Sequence, residues 1–192
     1  MRYLRGTLNH SLILGGVDDG DKTRLGKTAL IGYSDADWGS NDESRRSISG
    51  YVFLYGQSLL SWKSKRQASP ALSSTEAEYM ALSVANKEAM WLQGIIGELT
   101  RTRTERVTIH VDNMSCIALA RNPASHERTK HIAIQYHFIR HQLLMKRVEL
   151  THCPTEKMIA DFMTKPMTRE KHVWTLKAIR LMDKSAREKD NE

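Results

Sequence analysis

The stretch ISGYVFLYGQSLLSWK (residues 48–63), followed after a short link by EAEYMALSVANKEAMWLQGIIGEL (residues 76–99), decides the fold class of this chain. The first part is rich in β-branched and aromatic residues and contains a Gly-Gln-Ser turn at residues 56–58, which predicts two strands joined in a hairpin. In the second part the apolar residues fall at or near helical spacing, which predicts one long amphipathic helix. The chain therefore combines a sheet with helices.

Further strands and helices are predicted on both sides of this stretch. The strands are expected at residues 29–34, 48–55, 59–63, 107–111 and 148–152. The helices are expected at residues 76–99, 114–121, 130–146 and 155–165, with a helical pattern again in residues 168–182. The order β-β-β-α-β-α-α-β-α corresponds to an antiparallel meander followed by α/β crossovers. We expect an α/β fold whose five-stranded mixed sheet is flanked by helices.

Glycine-rich and charged segments flank this predicted domain. Residues 1–26 end in a run of glycines and aspartates typical of a linker, and their apolar side chains have no predicted neighbours to bury them. They look like the end of something larger. We predict an N-terminal arm and linker at residues 1–26, the folded domain at residues 27–166, and a basic, charged helix and tail at residues 167–192.

The composition narrows the possible function classes. The 192 residues carry 29 lysines and arginines against 22 aspartates and glutamates, a net charge of +7, which favours a polyanionic partner such as nucleic acid. Two cysteines without a CxxC pair exclude a disulfide scaffold and favour a reducing compartment. No apolar run in this sequence is long enough for a membrane span or a signal-peptide core. Collagen, coiled-coil, membrane and disordered classes are therefore excluded.

Four acidic residues lie where a sheet edge and two helices are expected to meet. Asp35 ends the first predicted strand, Asp112 ends the fourth, Glu78 lies in the first turns of the long helix, and Asp161 lies in the helix after the fifth strand. Carboxylates this close raise one another's pKa unless divalent cations neutralise them, and oxygen-only ligands favour Mg²⁺ or Mn²⁺. Two such ions about 4 Å apart catalyse phosphodiester hydrolysis. The pattern predicts that chemistry at this edge.

Each of these acids also has an ordinary structural role available. Glu76 and Glu78 each complete a capping box, with Ser73 and Thr75 respectively, and could only stabilise the start of the helix. The aspartates could end a strand, cap a helix or face solvent. The prediction of a site depends on the combination of the four residues.

Seven blocks of the sequence resemble the ribonuclease H domain of copia-type LTR retrotransposon Pol polyproteins. They are GYSDADWG (residues 32–39), SRRSISGYVFLYG (44–56), LLSWKSKRQ (59–67), ALSSTEAEYMAL (71–82), HVDNMSCIALA (110–120), RTKHIAIQYHFIR (128–140) and PTEKMIADFMTKP (154–166). The blocks follow in the family's order with compatible spacing. The preceding RYLRGTLNHSLILGG resembles the end of the reverse transcriptase portion, so the chain looks like a C-terminal slice of such a polyprotein.

The resemblance implies a ribonuclease H-like fold and a two-metal nuclease that cuts the RNA strand of RNA–DNA hybrids. By motif, the catalytic and metal-binding residues are Asp35, Glu78, Asp112 and Asp161, with Glu76 as the alternative to Glu78. Two Mg²⁺ ions, replaceable by Mn²⁺, are the implied cofactors. The family's loop histidine has no clear counterpart, because His152 falls near a strand end and is interpreted as structural. The implied setting is intracellular, next to an upstream reverse transcriptase domain.

Basic residues near the hairpin and the long helix are candidates for contact with nucleic acid. The segment SWKSKRQ mixes Trp62 with three cations after a predicted strand, as a groove along a nucleic-acid backbone would, although a solvated hairpin face explains each cluster equally well. Hydroxyls and backbone N–H groups at a helix start can bind a phosphate or a 2′-OH. The candidate residues are Lys63, Lys65, Arg66, Ser73, Ser74, Arg128 and Lys130.

A second hypothesis comes from the N-terminus. Arg2-Tyr3-Leu4-Arg5 spells RxLR, and acidic and basic pairs follow at residues 42–43 and 45–46. This resembles the RxLR-dEER arrangement of secreted oomycete effectors, which implies a protein that binds host proteins and suppresses host cell death without nuclease activity. An inactive transposon relic is a third reading, although all four acids are present.

Overall fold

The computed structural model describes residues 5–14, 29–39, 44–101, 106–122 and 130–183. Within them the strands are β1 (His10–Leu12), β2 (Leu30–Asp37), β3 (Ile48–Tyr55), β4 (Ser58–Arg66), β5 (Val107–Val111), β6 (Val148–His152) and β7 (Leu181–Asp183). The α-helices are α1 (Ser74–Thr100), α2 (Met114–Arg121), α3 (Lys130–Leu144) and α4 (Arg169–Ala178). Two 3₁₀ helices lie at Thr155–Lys157 and Ile159–Met163.

Five strands form one mixed sheet in the order β4-β3-β2-β5-β6. Strands β2, β3 and β4 make the predicted antiparallel meander, while β5 pairs in parallel with both β2 and β6. This confirms the α/β fold with a five-stranded mixed sheet and flanking helices. Because Ser34 is opposite Val111 in the β2–β5 ladder, the next residues of both strands reach the same edge of the sheet.

The helices cover one face of the sheet over the larger of its buried clusters. Tyr79 and Leu82 of α1 pack with Phe53 of β3, Ile109 of β5 and Ile139 of α3, and all five side chains are fully buried. Ser73 is the N-cap of the long helix, and its hydroxyl accepts a hydrogen bond from the Glu76 amide. The spacing of the apolar residues in α1 thus fixes which side of the helix meets the sheet.

The opposite face is covered by short segments from both ends of the described chain. β1 pairs antiparallel with β7, and Leu12 and Leu181 pack against a second buried cluster that includes Val52 and Ile179. The sequence predicted neither short strand, and it predicted no neighbours for the apolar N-terminal residues. Three-residue strands have no readable alternation, so their pairing depends on contacts between distant segments.

Two predicted boundaries are wrong near the carboxyl edge of the sheet. The first strand continues through Asp37, so Asp35 lies inside it and not at its end. The helix predicted at residues 155–165 is two 3₁₀ helices separated by an extended Met158. The four consecutive residues across this break, 158–161, are all buried.

The helices of the described residues include none with the length and apolar character needed to cross a bilayer. The division of the chain at residues 26 and 166 stays a prediction, since residues 15–28 and 184–192 lie outside the described part.

Candidate metal centre

Three carboxylates meet at the carboxyl edge of β2 and β5. Asp35, Glu78 and Asp112 each place one oxygen so that the three atoms lie within 4.8 Å of one another. β2 carries the first, α1 the second, and the third follows β5 directly. Among the described residues no other group of three possible ligands is this close. We call these residues the acidic triad.

Asp35 is buried inside the sheet, where it is 1% exposed and lies opposite Gly50 of β3. The hydroxyl of Thr164 donates a hydrogen bond to its Oδ2 atom. Burial raises the pKa of Asp35 to about 6, against the opposing effects of this hydrogen bond and of Lys165. The carboxylate is therefore held in one orientation but costs free energy to ionise.

Of the two neighbouring glutamates of α1, Glu78 belongs to the acidic triad and Glu76 does not. Oε1 of Glu78 accepts a hydrogen bond from the Ala36 amide at 3.3 Å, while its Oε2 atom is buried with no partner among the described residues. Burial first, and then the charges of Asp35 and Asp112, raise the pKa of Glu78 to about 9. The Glu76 side chain instead accepts a hydrogen bond from the Leu72 amide at 2.8 Å, while the Glu76 amide donates to the Ser73 hydroxyl, so this glutamate stabilises the start of α1 in a variant of the capping box.

Asp112 is free of the helix-capping role that the sequence left open for it. Asn113 caps α2 by accepting a hydrogen bond from the Cys116 amide at 2.9 Å. Asp112 accepts a hydrogen bond from the Thr155 hydroxyl at 3.2 Å. Its carboxylate is half-buried, so it forms the solvent-facing side of the triad.

Asp161 lies next to the triad, but its charge is compensated by two lysines. It is 1% exposed in the second 3₁₀ helix, and its Oδ1 atom lies 3.0 Å from the Lys165 ammonium. Lys171 of α4 contacts Oδ2 of the same carboxylate. Lys165 also reaches to 3.9 Å from Asp35, and the two aspartates raise its pKa although burial opposes this.

Neither lysine is among the residues predicted from the sequence. Lys165 is four residues after Asp161, a spacing that could have suggested an ion pair. Lys171 lies ten residues after Asp161 and beyond Pro166, and no local pattern relates it to the site.

The acidic triad fits a hard divalent cation. All its donors are carboxylate oxygens, which Mg²⁺ and Mn²⁺ prefer. The unpartnered Oε2 of Glu78 and the raised pKa values of Glu78 and Asp35 mean that ionising these buried carboxyl groups together costs free energy within the described structure. A divalent cation would remove that cost.

The predicted basic residues are only partly described. Lys63, Lys65 and Arg66 lie within the edge strand β4, not after it as the sequence suggested, and all three are exposed. With residues of α1 they line a groove of about 190 Å³. Ser73 caps α1, and Ser74 is the first residue of that helix.

Several other predicted residues fall outside the described structure. Arg128 lies outside it, as do Arg2, Tyr3 and Leu4 of the RxLR sequence, whereas Arg5 lies inside. Lys130 begins α3, although its side chain is not among those described. His152 is the exposed last residue of β6.

Retrotransposon polyproteins align with most of the chain. Over 170 residues it is 38% identical to the Retrovirus-related Pol polyprotein from transposon RE1 of Arabidopsis thaliana, an alignment that covers 88% of this chain and 11% of the polyprotein. The corresponding polyprotein from transposon TNT 1-94 of Nicotiana tabacum is 38% identical over 171 residues, 89% of this chain and 12% of the polyprotein. The chain therefore spans about a tenth of the length of these relatives. No protein-family model matches it.

A shorter relative carries a different description. Over 92 residues the chain is 51% identical to the Secreted RxLR effector protein 161 of Plasmopara viticola. This alignment covers 48% of this chain and 59% of that protein.

Solved structures resemble the fold at low sequence identity. RNase H1 from the archaeon Halobacterium salinarum NRC-1 aligns with a TM-score of 0.51 and 16% identity over 71% of this chain and 94% of that one. The foamy viral protease-reverse transcriptase in complex with an RNA/DNA hybrid aligns with a TM-score of 0.52 and 18% identity over 79% of this chain and 22% of that one. At these identities the likeness concerns the fold alone.

Proposed function

The chain is a homologue of copia-type retrotransposon Pol polyproteins over most of its length and has the ribonuclease H-like fold, and on this premise we propose that it is a metal-dependent endonuclease that hydrolyses the RNA strand of RNA–DNA hybrids. The observation that carries the proposal is the acidic triad, with buried, unbalanced charge at the carboxyl edge of the central strands. A structural role alone leaves that charge unexplained.

The substrate proposal draws on charge and on a structural neighbour. The exposed Lys63, Lys65 and Arg66 form a cationic edge suited to a nucleic-acid backbone. The foamy viral neighbour was solved with an RNA/DNA hybrid and includes a reverse transcriptase. We therefore take an RNA–DNA hybrid as the substrate and an upstream reverse transcriptase domain, in an intracellular particle, as the working context.

Asp35, Glu78, Asp112 and Asp161 are the residues that would hold two Mg²⁺ or Mn²⁺ ions. Bound there, such ions supply Lewis acidity that lowers the pKa of a water and stabilises the leaving oxygen. The protein contributes fixed ligand geometry: Thr164 orients Asp35, and the Ala36 amide orients Glu78. Attack of water on the scissile phosphate leaves a 3′-hydroxyl and a 5′-phosphate.

Cleavage of a labelled RNA–DNA hybrid by the purified chain, in Mg²⁺ or Mn²⁺, tests this function. An RNA–RNA duplex and the Asp112→Asn variant are the controls. We expect cutting of the hybrid alone, dependent on the metal and lost in the variant. A folded protein that cuts nothing, or a variant that cuts as well as the wild type, would refute the assignment.

A secreted effector is the second candidate, supported by 51% identity to the Plasmopara viticola protein. Under this alternative the chain binds host proteins and its carboxylates are idle. Absence of cleavage by the folded chain, together with suppression of cell death on expression in a host plant, would favour it over the nuclease. Suppression that persists in Asp112→Asn separates this role from any nuclease activity.

A further inference from the structure

The two sides of Asp35 have different electrostatic surroundings. On one side lie Glu78 and Asp112, with no cation in direct contact among the described residues. On the other side lies Asp161, which already contacts two ammonium groups. One of these, on Lys165, is also 3.9 Å from Asp35, so it lies between the two aspartates where a second cation bridging them would have to bind.

The charges of the centre balance with a single divalent ion. When all four carboxylates are ionised, the two lysines cancel two of the four negative charges. One divalent cation at the acidic triad then cancels the remaining two. A second divalent cation would leave the centre with an excess of positive charge unless an ammonium group moved away, and like charges at this separation repel strongly where water is partly excluded.

We propose that Lys165 is a built-in countercharge of the metal centre, so that the first divalent ion binds tightly at the triad and the second binds only by displacing the Lys165 ammonium. This inference rests on the proposed function and deepens it. Lys165 is about one-third exposed, so its side chain has solvent into which it can swing. A phosphate group of the substrate, which brings its own negative charge, would favour that exchange.

Lys171 anchors this arrangement from the C-terminal helix. Its ammonium contacts Asp161 and also donates a hydrogen bond to the carbonyl oxygen of Thr155, whose hydroxyl donates to Asp112. Lys171 therefore holds Asp161 in place while Lys165 exchanges. It is a positioning residue, because it reaches the triad only through other side chains.

Metal titration of the full chain tests the proposal without measuring cleavage. Free Mn²⁺, followed by electron paramagnetic resonance, gives the number of bound ions and their affinities. The wild type is expected to bind one ion tightly and a second at least tenfold more weakly. Lys165→Met should tighten the second ion by about tenfold, the size expected when one competing charge is removed, and leave the first nearly unchanged.

Matched variants separate charge from packing. Lys165→Arg keeps the charge and should bind as the wild type does. Lys157→Met removes an exposed lysine of the neighbouring 3₁₀ helix and should also change nothing. Lys171→Met removes the other countercharge and should tighten the second ion by a smaller factor, which gives an independent reading if Lys165→Met does not fold.

The outcomes distinguish this inference from the nuclease assignment. Two equally tight ions in the wild type, or unchanged binding in both folded Lys→Met variants, would overturn the role of Lys165 and leave the proposed function standing. A folded wild-type protein that binds no Mn²⁺ would remove the proposed function together with the inference.

Discussion

Asp161 on one side of the carboxylate cluster, and Asp35 and Glu78 on the other, are all deeply buried but differ in how their charge is compensated. Asp161 is 1% exposed and lies between two lysines, both supplied by residues that follow it in the chain. Asp35 and Glu78 are 1% and 6% exposed, and their pKa values are raised to about 6 and about 9. The same burial is thus balanced in one half and unbalanced in the other.

The difference in pairing separates a carboxylate whose charge the protein itself balances from carboxylates whose charge it leaves unbalanced. A buried carboxylate that is paired costs little to keep ionised, whereas an unpaired one takes up a proton or waits for a cation. The fold provides two cations for Asp161 and, among the described residues, none in direct contact with Glu78 or Asp112, which is the basis for proposing an external ion at the acidic triad. Substitutions in each half test that contrast.

One substitution in each half is expected to give the largest effects. Asp112→Asn removes charge from the triad, so hybrid cleavage should fall on the order of 10³-fold and the first Mn²⁺ should bind more weakly. Asp161→Asn leaves the triad intact, so cleavage should fall on the order of 10-fold to 10²-fold while the first Mn²⁺ keeps its affinity. Cleavage rates and Mn²⁺ titrations measure both. Equal losses of Mn²⁺ affinity would contradict the contrast between the halves.

The two nearby glutamates of α1 give the next effect. Glu78→Gln should lower hybrid cleavage on the order of 10²-fold. This loss is smaller than that of Asp112→Asn, because ionising the buried Glu78 costs free energy that offsets part of its contribution. Glu76→Gln should leave cleavage unchanged and lower the free energy of unfolding by about 1 kcal/mol, since it weakens the capping box. Parallel cleavage assays and urea unfolding distinguish them. If Glu76→Gln alone lost cleavage, Glu76 would be the metal ligand and Glu78 would not.

The sequence placed the carboxylates of the triad near one edge of the sheet because their positions follow from local patterns. A strand that ends in HVDN, a helix that begins with SSTEAE and a first strand with YSDAD can be read from hydrophobic period and capping signals. Those signals left Glu76 and Glu78 as alternatives. Only the structure shows which of the two points towards Asp35, because both fit a capping box.

The environment of Asp161 could not be read in the same way. Its two lysines are brought to it by a pair of 3₁₀ helices and by α4, and the burial of Met158 in the second cluster determines that path. The β1–β7 ribbon was missed for a related reason. The β1–β7 pairing joins segments far apart in the chain, and the path of the 3₁₀ segment depends on its packing against the distant strand β3. Neither kind of contact leaves a periodic trace in the short segments involved.

Gly50→Ala disturbs the packing on β3 of the segment that carries Asp161 and Thr164. A Cβ atom on Gly50 would lie 2.6 Å from the Thr164 methyl and 2.7 Å from Cβ of Met163, so the second 3₁₀ helix must move away from β3. We expect a loss of about 1–3 kcal/mol in the free energy of unfolding, typical of overpacking. Urea denaturation of the metal-free protein measures it.

Gly94→Ala is the matched control for that substitution. No atom lies within 4 Å of a Cβ placed on this residue of α1, so the variant should gain up to about 1 kcal/mol from helix propensity. Because Thr164 holds Asp35 through a hydrogen bond, Gly50→Ala should also weaken binding of the first Mn²⁺, whereas Gly94→Ala should leave it unchanged. If Gly50→Ala matched the wild type in stability, the close packing of the 3₁₀ segment on β3 would be wrong.

The smallest expected effect is the pH dependence of stability in the unbalanced half. The pKa of Glu78 rises from its usual 4.5 to about 9 on folding, so the unfolded state binds fewer protons than the native state between these values. Its contribution to stability is therefore complete below about pH 4.5 and is lost as the pH rises towards 9. The glutamine in Glu78→Gln does not titrate. The free energy of unfolding of the variant should therefore increase relative to that of the wild type as the pH rises across that range. The cost of burying an amide offsets part of this gain, which leaves a net change on the order of 1 kcal/mol at neutral pH.

Urea unfolding in EDTA at three pH values between 5 and 9 measures this difference, with Glu76→Gln as a control whose difference from the wild type should stay constant with pH. Saturating Mg²⁺ should reverse the sign, because the ion stabilises only the protein that retains the glutamate. A Glu78→Gln difference that does not change with pH would mean that the buried carboxyl is already compensated. The triad would then resemble the Asp161 half, and the case for an external cation would lose its electrostatic basis.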